Sequence, residues 1–483
     1  MQKFYPFDFE IGKKNTTLRE GTGISNLDGR LWDEMGSGVG RFFGDEALVR
    51  GRVAVEARYI IALSDIKVVR KLNKKEKDTL LTLHQKITPG TYKSLRKIES
   101  KVKHDVISMT LILKHLLAKT KSMTDILDHG WVHWGLSSED VDNIAKSVLL
   151  KAFLTEIYLP HSELLLGEIV NLSLRTKNTE IPGKTHLQTA IPTVLGKEIA
   201  LFGVRLAEVL VKIKKLKLRG KLTGAVGNLS AHRSAYPRVN WRKFSKEFVE
   251  GFGLEANLFT TQTEPKARFV ELLSLVQMIN SLLIDLSQDA RLYIGFDWLK
   301  QEVKREEAGS SAMPQKVNPI DFENSQGNAL FSNWILEGMI RQFPVSWLQR
   351  DLVDKTIQRN TGLPFGYSLI AIISAQKGLS KVSANREKIK ADLESDWGAL
   401  SEAFQVNLRA FGVGGAYNDL KAFSRGKRIL RGDVEEWIRG LGTTDEIKKK
   451  LFSLSFEKYT GYAAENLRGM INTINSARKT LRR

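Results

Sequence analysis

Residues 308 to 328 read AGSSAMPQKVNPIDFENSQGN, a run of glycine, paired serines, two prolines, a lysine and an asparagine set between segments with helical apolar spacing. Gly309 with Ser310 and Ser311 supplies backbone N–H groups of the kind that cradle an anion. Lys316 adds a positive charge, and Asn318 adds an amide before a proline that stiffens the exit. Together these groups suit a carboxylate. A serine hydroxyl beside such an anion hole can serve as a base if the loop closes over the substrate and excludes water, because local stabilisation of the alkoxide is what lowers its acidity barrier.

Three further polar islands interrupt the helical pattern: KHD at 103–105, HWGLSSED at 133–140 and KTHLQT at 184–189. The chain has eight histidines, and His104, His133 and His186 fall in these islands. Each island also has a plain structural reading. Ser137 with Asp140 three residues on fits a helix capping box ahead of Val141, Ile144 and Val148. His186, one residue past Thr185, fits a hydrogen-bonded histidine at the end of an element that leads into a helix. No His, Asp or Glu set has the spacing of metal ligands, so no metal and no cofactor is expected. The glycines of GSGVGRFFG (36–44) lack a preceding strand and are expected to form a plain turn rather than a phosphate cradle.

The elements that must hold these islands are helices. After Pro192, apolar residues recur at Leu195, Ile199, Phe202, Leu206, Val209, Ile213 and Leu216 in steps of four and three, until Gly220 offers a stop. A matching seam follows Pro265 at Phe269, Leu272, Val276, Ile279, Leu283, Leu286 and Ala290. Two long helices with matched seams predict antiparallel bundle packing. Further helical pattern covers 139–175, 328–341 and 365–382. Strand signals are poor, so the fold class is mainly α. Three parts are expected: an N-terminal helical domain at 1–126 with shorter helices, a central long-helix bundle at 127–380, and a C-terminal domain of short charged helices at 381–483.

Composition bounds the chemistry. The 483 residues include no cysteine, which excludes disulfides and thiolate chemistry. Eleven prolines suit long uninterrupted helices. No secretory core and no run of about 18 uncharged apolar residues is present, so the expected location is the cytoplasm, with no membrane partner. Seventy-four Lys and Arg against 54 Asp and Glu give a net charge of +20. The basic runs are scattered and not interleaved with aromatics, which argues for a solvated surface rather than a nucleic-acid partner.

GSSAMPQKVNP resembles the signature loop of the fumarase/aspartase superfamily, G-S-S-x-M-P-x-K-x-N-P. LDGR (27–30), SSEDVDN (137–143), GAVGN with SAHRSAYP (224–237), FTTQTEP (259–265), VNPIDFENSQGN (317–328) and QRDLVDKTIQRN (349–360) are similar, in order and spacing, to its adenylosuccinate lyase branch of the longer bacterial type. The resemblance covers nearly the whole chain. It implies a three-part helical fold assembled into a homotetramer, with each site shared between subunits. The implied reaction is anti β-elimination of fumarate from adenylosuccinate, giving AMP, and from succinylaminoimidazole carboxamide ribotide, giving the carboxamide.

By this resemblance Ser310 is the base, His186 the acid, Glu323 the carboxylate that orients His186, and Lys316 and Asn318 the stabilisers of the developing aci-carboxylate. The anionic nucleotide substrate falls to Arg30, His104, Asp105, Ser137, Ser138, Gln262, Arg350 and Arg359, the arginines matching its phosphate and carboxylates. Several positions depart from the pattern. Leu31 replaces a tyrosine, Lys103 an asparagine, Lys355 a substrate-contacting serine and Gln315 a histidine, while Leu187 and Thr189 alter T-H-G-Q-P. Two other readings compete: a sister lyase acting on argininosuccinate, aspartate or malate, and a non-catalytic nucleic-acid-binding relative.

Overall fold

The computed structural model describes residues 39–302, 313 and 315–483. They form two units. The first comprises the described chain up to Pro160 with Lys212–Met278 and Leu330–Ile370; the second comprises His161–Val211, Ile279–Ala329 and Ala371–Arg483. The mainly α expectation holds, with long helices joined by short turns.

In the first unit, helix α1 (Asp45–Asp65) is buried on every face between Ala47 and Ser64. Asp45 and Glu46 sit in its first turn, where carboxylates complement the helix dipole. Helix α1 takes Arg50, Arg52, Glu56 and Arg58 into the interior with its apolar residues, so no apolar stripe marks it in the sequence. The expectation of only short helices before residue 126 therefore misses a 21-residue core helix. Nor is the described part of GSGVGRFFG a plain turn: residues 39–43 are helical, and the Gly44 N–H donates to Gly40 O at 2.8 Å. Helix α2 (Asp105–Ala118) begins at the His104 cap, and α3 (Ser138–Phe153) packs against α1.

A single π turn, Leu154–Tyr158, joins α3 to α4 (Leu159–Arg175). Pro160 has no N–H to give the preceding turn, and a wider turn absorbs that loss.

Between α4 and the next helix the second unit has an antiparallel hairpin, β1 (Glu180–Thr185) and β2 (Gln188–Val194), where the sequence gives no strand pattern. Pro182 stands opposite Pro192, so the alternation that would advertise strands is broken by residues that cannot donate to the ladder. Helix α5 (Leu195–Lys215) follows, ending five residues before Gly220. Its seam from Leu195 to Ile213 is buried as the spacing predicts. Helix α6 (Ala267–Gly295) buries Leu272, Val276, Ile279, Leu283, Leu286 and Ala290; each of the leucine, isoleucine and valine side chains contributes about 2 kcal/mol over an exposed one. Helix α6 is long and apolar enough by composition to cross a membrane, with 44% of its most apolar window buried in the chain. Its Asp285 pairs with Arg205 at 2.7 Å.

Helix α7 (Ile320–Gln342), the six-residue α8 (Val353–Gln358) and α9 (Gly362–Ser380) carry the remaining site positions of the central region. The C-terminal helix α10 (Ala463–Arg482) is tied to α4 by Arg478 and Arg482, both 2.7 Å from the Glu163 carboxylate.

Gly227, within GAVGN, has φ of +85°, and a Cβ there would lie 1.9 Å from the Thr260 carbonyl oxygen. Backbone cannot move aside as a side-chain end can. Gly227→Ala is expected to lower the free energy of unfolding by about 3 kcal/mol or more, measured by denaturant titration; a loss under about 0.5 kcal/mol would contradict this packing.

Candidate active site

The site of the first unit is built from helix beginnings. Lys103 sits in left-handed backbone at φ 58°, ending the preceding helix, and His104 then caps α2 through its Nδ1, which accepts from the Ile107 N–H at 3.3 Å. The left-handed region is one that asparagine tolerates better than lysine, which gives a backbone reason for the asparagine that the resemblance leads one to expect there. Asp105 occupies the first position of α2.

Ser137 caps α3 as the capping-box reading predicts. Its N–H and Oγ–H donate to Asp140 Oδ2 at 2.7 and 2.9 Å. Asp140 Oδ1 in turn accepts from the Thr223 and Gly224 N–H groups and from the buried Lys221 ammonium at 2.7 Å. One carboxylate thus binds SSED to the KLTGAVGN stretch, with Ser138 opening the helix beside it.

Two residues further along α3, Asp142 is 1% exposed and pairs with the Arg52 Nε. Arg52 also reaches Asp105 at 2.8 Å, and the Lys355 ammonium lies 2.9 Å from Asp105 and 3.5 Å from Asp142. Lys146 approaches the same Asp142 oxygen at 3.7 Å and donates to Gln358 at 2.9 Å. Burial alone would make both carboxyls weaker acids, but Arg52 and the lysines outweigh it. Asp105 is held at about 2, and Asp142 well below the ordinary carboxylate range.

Arg350 bridges Glu139 at 3.5 Å and Asp354 at 3.2 Å, and Lys266 holds the other side of Asp354 at 2.5 Å. Gln262 donates its amide to Ala225 O at 3.0 Å. A cavity of about 440 Å³ opens among these elements. Arg52, Asp105, Lys146, Lys355 and Arg359 lie on its wall, together with aromatic and aliphatic residues such as Phe42, Phe43 and Leu95. Of the substrate positions expected from sequence, the structure brings Asp105 and Arg359 to this wall. His104 and Ser138 flank it through their helix starts, Ser137 and Arg350 are engaged with neighbouring carboxylates, and Arg30 lies outside the described residues.

In the second unit, His186 and Leu187 form the two-residue turn of the β1–β2 hairpin, both with positive φ, 52° and 60°. His186 therefore sits on a hairpin tip, not at a helix entry, and it is exposed. Hairpin turns of this kind favour Asn-Gly, and a β-carbon at each position costs about 1 kcal/mol. Strain held at a projecting imidazole is a recognised mark of function. Glu323, in the first turn of α7, lies 3.5 Å from Arg291, and no hydrogen bond joins it to His186 within this chain. Lys316 and Asn318 precede α7, with Lys316 exposed and its N–H donating to Met313 O at 3.1 Å. Ser310 lies outside the described residues.

Sequence reasoning passed over Arg52, Asp142 and Lys146. The available signal was three carboxylates, Glu139, Asp140 and Asp142, at the start of a helix whose apolar spacing marks it as buried, since such charges are rarely buried without partners. Because Asp105 is depressed from an unfolded value near 3.9 to about 2, its ion pairs stabilise the fold fully above about pH 4.5, and that contribution fades as pH falls towards 2. Asp105→Asn should therefore lower stability at pH 6 by about 1–2 kcal/mol, and the gap from the unsubstituted chain should narrow steadily as pH falls from about 4.5 towards 2. A gap independent of pH would contradict the assignment.

Comparison with known proteins places this geometry. The family described as Lyase matches residues 41–330, and that described as Adenylosuccinate lyase C-terminal matches residues 346–460. The chain is 35% identical to adenylosuccinate lyase of Escherichia coli strain K12 over 445 residues, 92% of this chain and 97% of that protein. It is also 35% identical, with the same coverages, to the adenylosuccinate lyases of Buchnera aphidicola subsp. Schizaphis graminum and Haemophilus influenzae. Among solved structures it shares the fold of a 3-carboxy-cis,cis-muconate lactonizing enzyme from Pseudomonas putida, with a TM-score of 0.73 at 18% identity over 91% of this chain and 97% of that one. A fumarate lyase from Mesorhizobium sp. BNC1 gives 0.73 at 14% identity over 90% and 97%. With identity of this degree across nearly its whole length, the chain belongs to the adenylosuccinate lyase family of the fumarase/aspartase superfamily.

Proposed function

We propose that the protein is a lyase that eliminates fumarate from adenylosuccinate, leaving AMP, and from succinylaminoimidazole carboxamide ribotide, leaving the carboxamide. The observation that carries this reading is the intact GSSAMPQKVNP stretch in a chain that matches adenylosuccinate lyases over 92% of its length. In the reaction Ser310 takes the Cβ proton as an alkoxide base. The electron pair passes into the adjacent carboxylate as an aci-carboxylate, which Lys316 and Asn318 stabilise. Collapse of that intermediate breaks the C–N bond, and His186 gives a proton to the departing nitrogen. An imidazole is the side chain whose ordinary titration range lies nearest neutrality, which suits it to that step.

The strained tip that carries His186 and the exposed Lys316 support presentation of both groups to a substrate rather than to their own chain. Glu323 orients His186 from another copy, in a homotetramer whose sites are shared between subunits. Exposed apolar side chains on the long helices support such an assembly: Trp334 on α7 is 66% exposed and Met278 on α6 is 50% exposed. Asp105, Ser137, Ser138, Gln262, Arg350 and Arg359 of the first unit, with Arg30 and His104, bind the nucleotide. The protein acts in the cytoplasm without a metal or cofactor.

Release of fumarate is followed by its ultraviolet absorbance. Turnover of adenylosuccinate but not of argininosuccinate, aspartate or malate is the expected pattern, and silence with adenylosuccinate would refute it. Ser310→Ala and His186→Ala should each lower kcat about 10²-fold or more while light scattering still reports a tetramer. Near-normal activity in either variant would remove its assigned role.

A further inference from the structure

The helix Pro89–Val102, which precedes α2 and packs against it, has two unlike faces. Tyr92, Leu95 and Glu99 line the first unit's cavity, whereas Lys93, Lys97 and Lys101 are exposed. Steps of four residues, at about 1.5 Å of rise each, set these three ammoniums along one side of the helix over about 12 Å. None of the three has an ion pair among the described residues, and the one acid of the helix, Glu99, lies 2.8 Å from Arg96. Ser94, beside Lys93 on the same side, turns its hydroxyl into the helix, where it donates to Gly90 O at 3.1 Å. Residues 66–104 hold twelve Lys and Arg against three Asp and Glu, so this short stretch carries nine of the chain's net +20. Of its acids, Glu76 is buried against Arg70, Glu99 meets Arg96, and Asp78 stands one turn from Lys74 and Lys75 on its own helix. The acids of adjoining elements are also engaged: Asp45 accepts from Tyr92, Asp65 pairs with Lys77, and Asp105 is held by Arg52 and Lys355.

Scattered basic runs in the sequence favour a plain solvated surface, but lysines four apart do not form a run, and only the helix gathers them onto one side. Cations clustered along one helix face are the footprint of a polyanion partner. A lipid surface suits this face poorly, because a membrane-surface helix inserts an apolar side, and here the apolar side is turned inward, with Leu95 3% exposed. A single strand is held by bases stacked on aromatic rings, and the helix's one aromatic, Tyr92, is turned to Asp45 at 3.1 Å. A duplex needs neither. Each of its strands carries a phosphate per about 3.4 Å of axis, so a row of about 12 Å spans three to four of them. We propose that the outer face of the helix Pro89–Val102 is a docking surface for the sugar–phosphate backbone of double-stranded nucleic acid, held by Lys93, Lys97 and Lys101. Lysines contact phosphates as point charges and read no bases, so the binding is independent of sequence. It is an activity separate from fumarate elimination and does not rest on it.

Fluorescence anisotropy of a labelled DNA duplex two helical turns long, titrated with the whole protein, tests this. Wild type should bind with a Kd of about 1–100 µM at physiological salt, equally for unrelated sequences. Changing Lys93, Lys97 and Lys101 together to Gln should weaken binding about tenfold or more and make the plot of log affinity against log salt shallower by about 2–3. The same three positions changed to Arg should retain the affinity. A control with Lys212, Lys215 and Lys217 changed to Gln removes the same charge from another exposed run and should shift Kd less than about twofold. Absence of binding by the wild type would overturn the proposal, as would an equal loss in the control or tighter binding of the single strand. Capture by phosphatidylserine vesicles with the same dependence on the three lysines, and no binding of the duplex, would assign the face to lipid and overturn it too. Acetylation footprinting on the wild type decides the matter even if the Gln variant lowers the thermal midpoint: duplex should protect Lys93, Lys97 and Lys101, and protection confined to other lysines would refute the site.

Discussion

Two buried carboxylates on the first turns of α3 set the geometry of the first unit. Asp140 gathers five donors from two separate stretches of chain, and Asp142 fixes Arg52, through which Asp105 and Lys355 take their places. A carboxylate removed from water costs several kcal/mol unless it is fully met by donors and cations. The fold can bury these two only in the arrangement that brings α1, α2, α3 and α8 together. Placing the site's charges and satisfying the core are therefore the same requirement. Loss of Asp140 would leave Lys221 as an uncompensated buried cation, the costlier half of a broken pair, and loss of Asp142 would leave Arg52 with Asp105 alone.

The second unit solves a different problem. His186, the acid of the proposed elimination, is placed on a tight hairpin tip, in backbone that an asparagine or glycine would hold more easily, and its side chain stays exposed. The first unit provides preorganised charge, and the second provides a projecting proton donor and the Lys316–Asn318 approach to α7. Neither set performs an elimination alone. In the proposed homotetramer, copies would bring the two sets together, and the exposed tryptophan on α7 and methionine on α6 are surfaces such an assembly would cover.

Much of this was readable in the sequence, for identifiable reasons. The seams of α5 and α6 were legible because their helices bury one stripe, so apolar spacing records the contact. The cap at Ser137 was legible because capping is local chemistry between residues three apart. Helix α1 was not, since burial on all faces erases periodicity and its buried arginines and glutamate mimic a surface. The hairpin was hidden by its paired prolines and by a turn built from histidine and leucine. The Arg52–Asp142–Lys355 cluster joins residues 90 and more positions apart, and no local pattern announces a long-range ion pair. The signature stretch was legible as chemistry from its composition alone, although Ser310 itself lies outside the described residues.

The central claim is that the chain eliminates fumarate from adenylosuccinate, with the nucleotide held at the first unit's cavity and the acid carried on the second unit's hairpin. A crystal structure of the assembled protein with AMP and fumarate bound tests it most directly. The account predicts AMP at the first unit's cavity, with His186 of a neighbouring copy reaching the purine's amino nitrogen. AMP bound away from this cavity, or its amino nitrogen out of reach of every copy's His186, would contradict it.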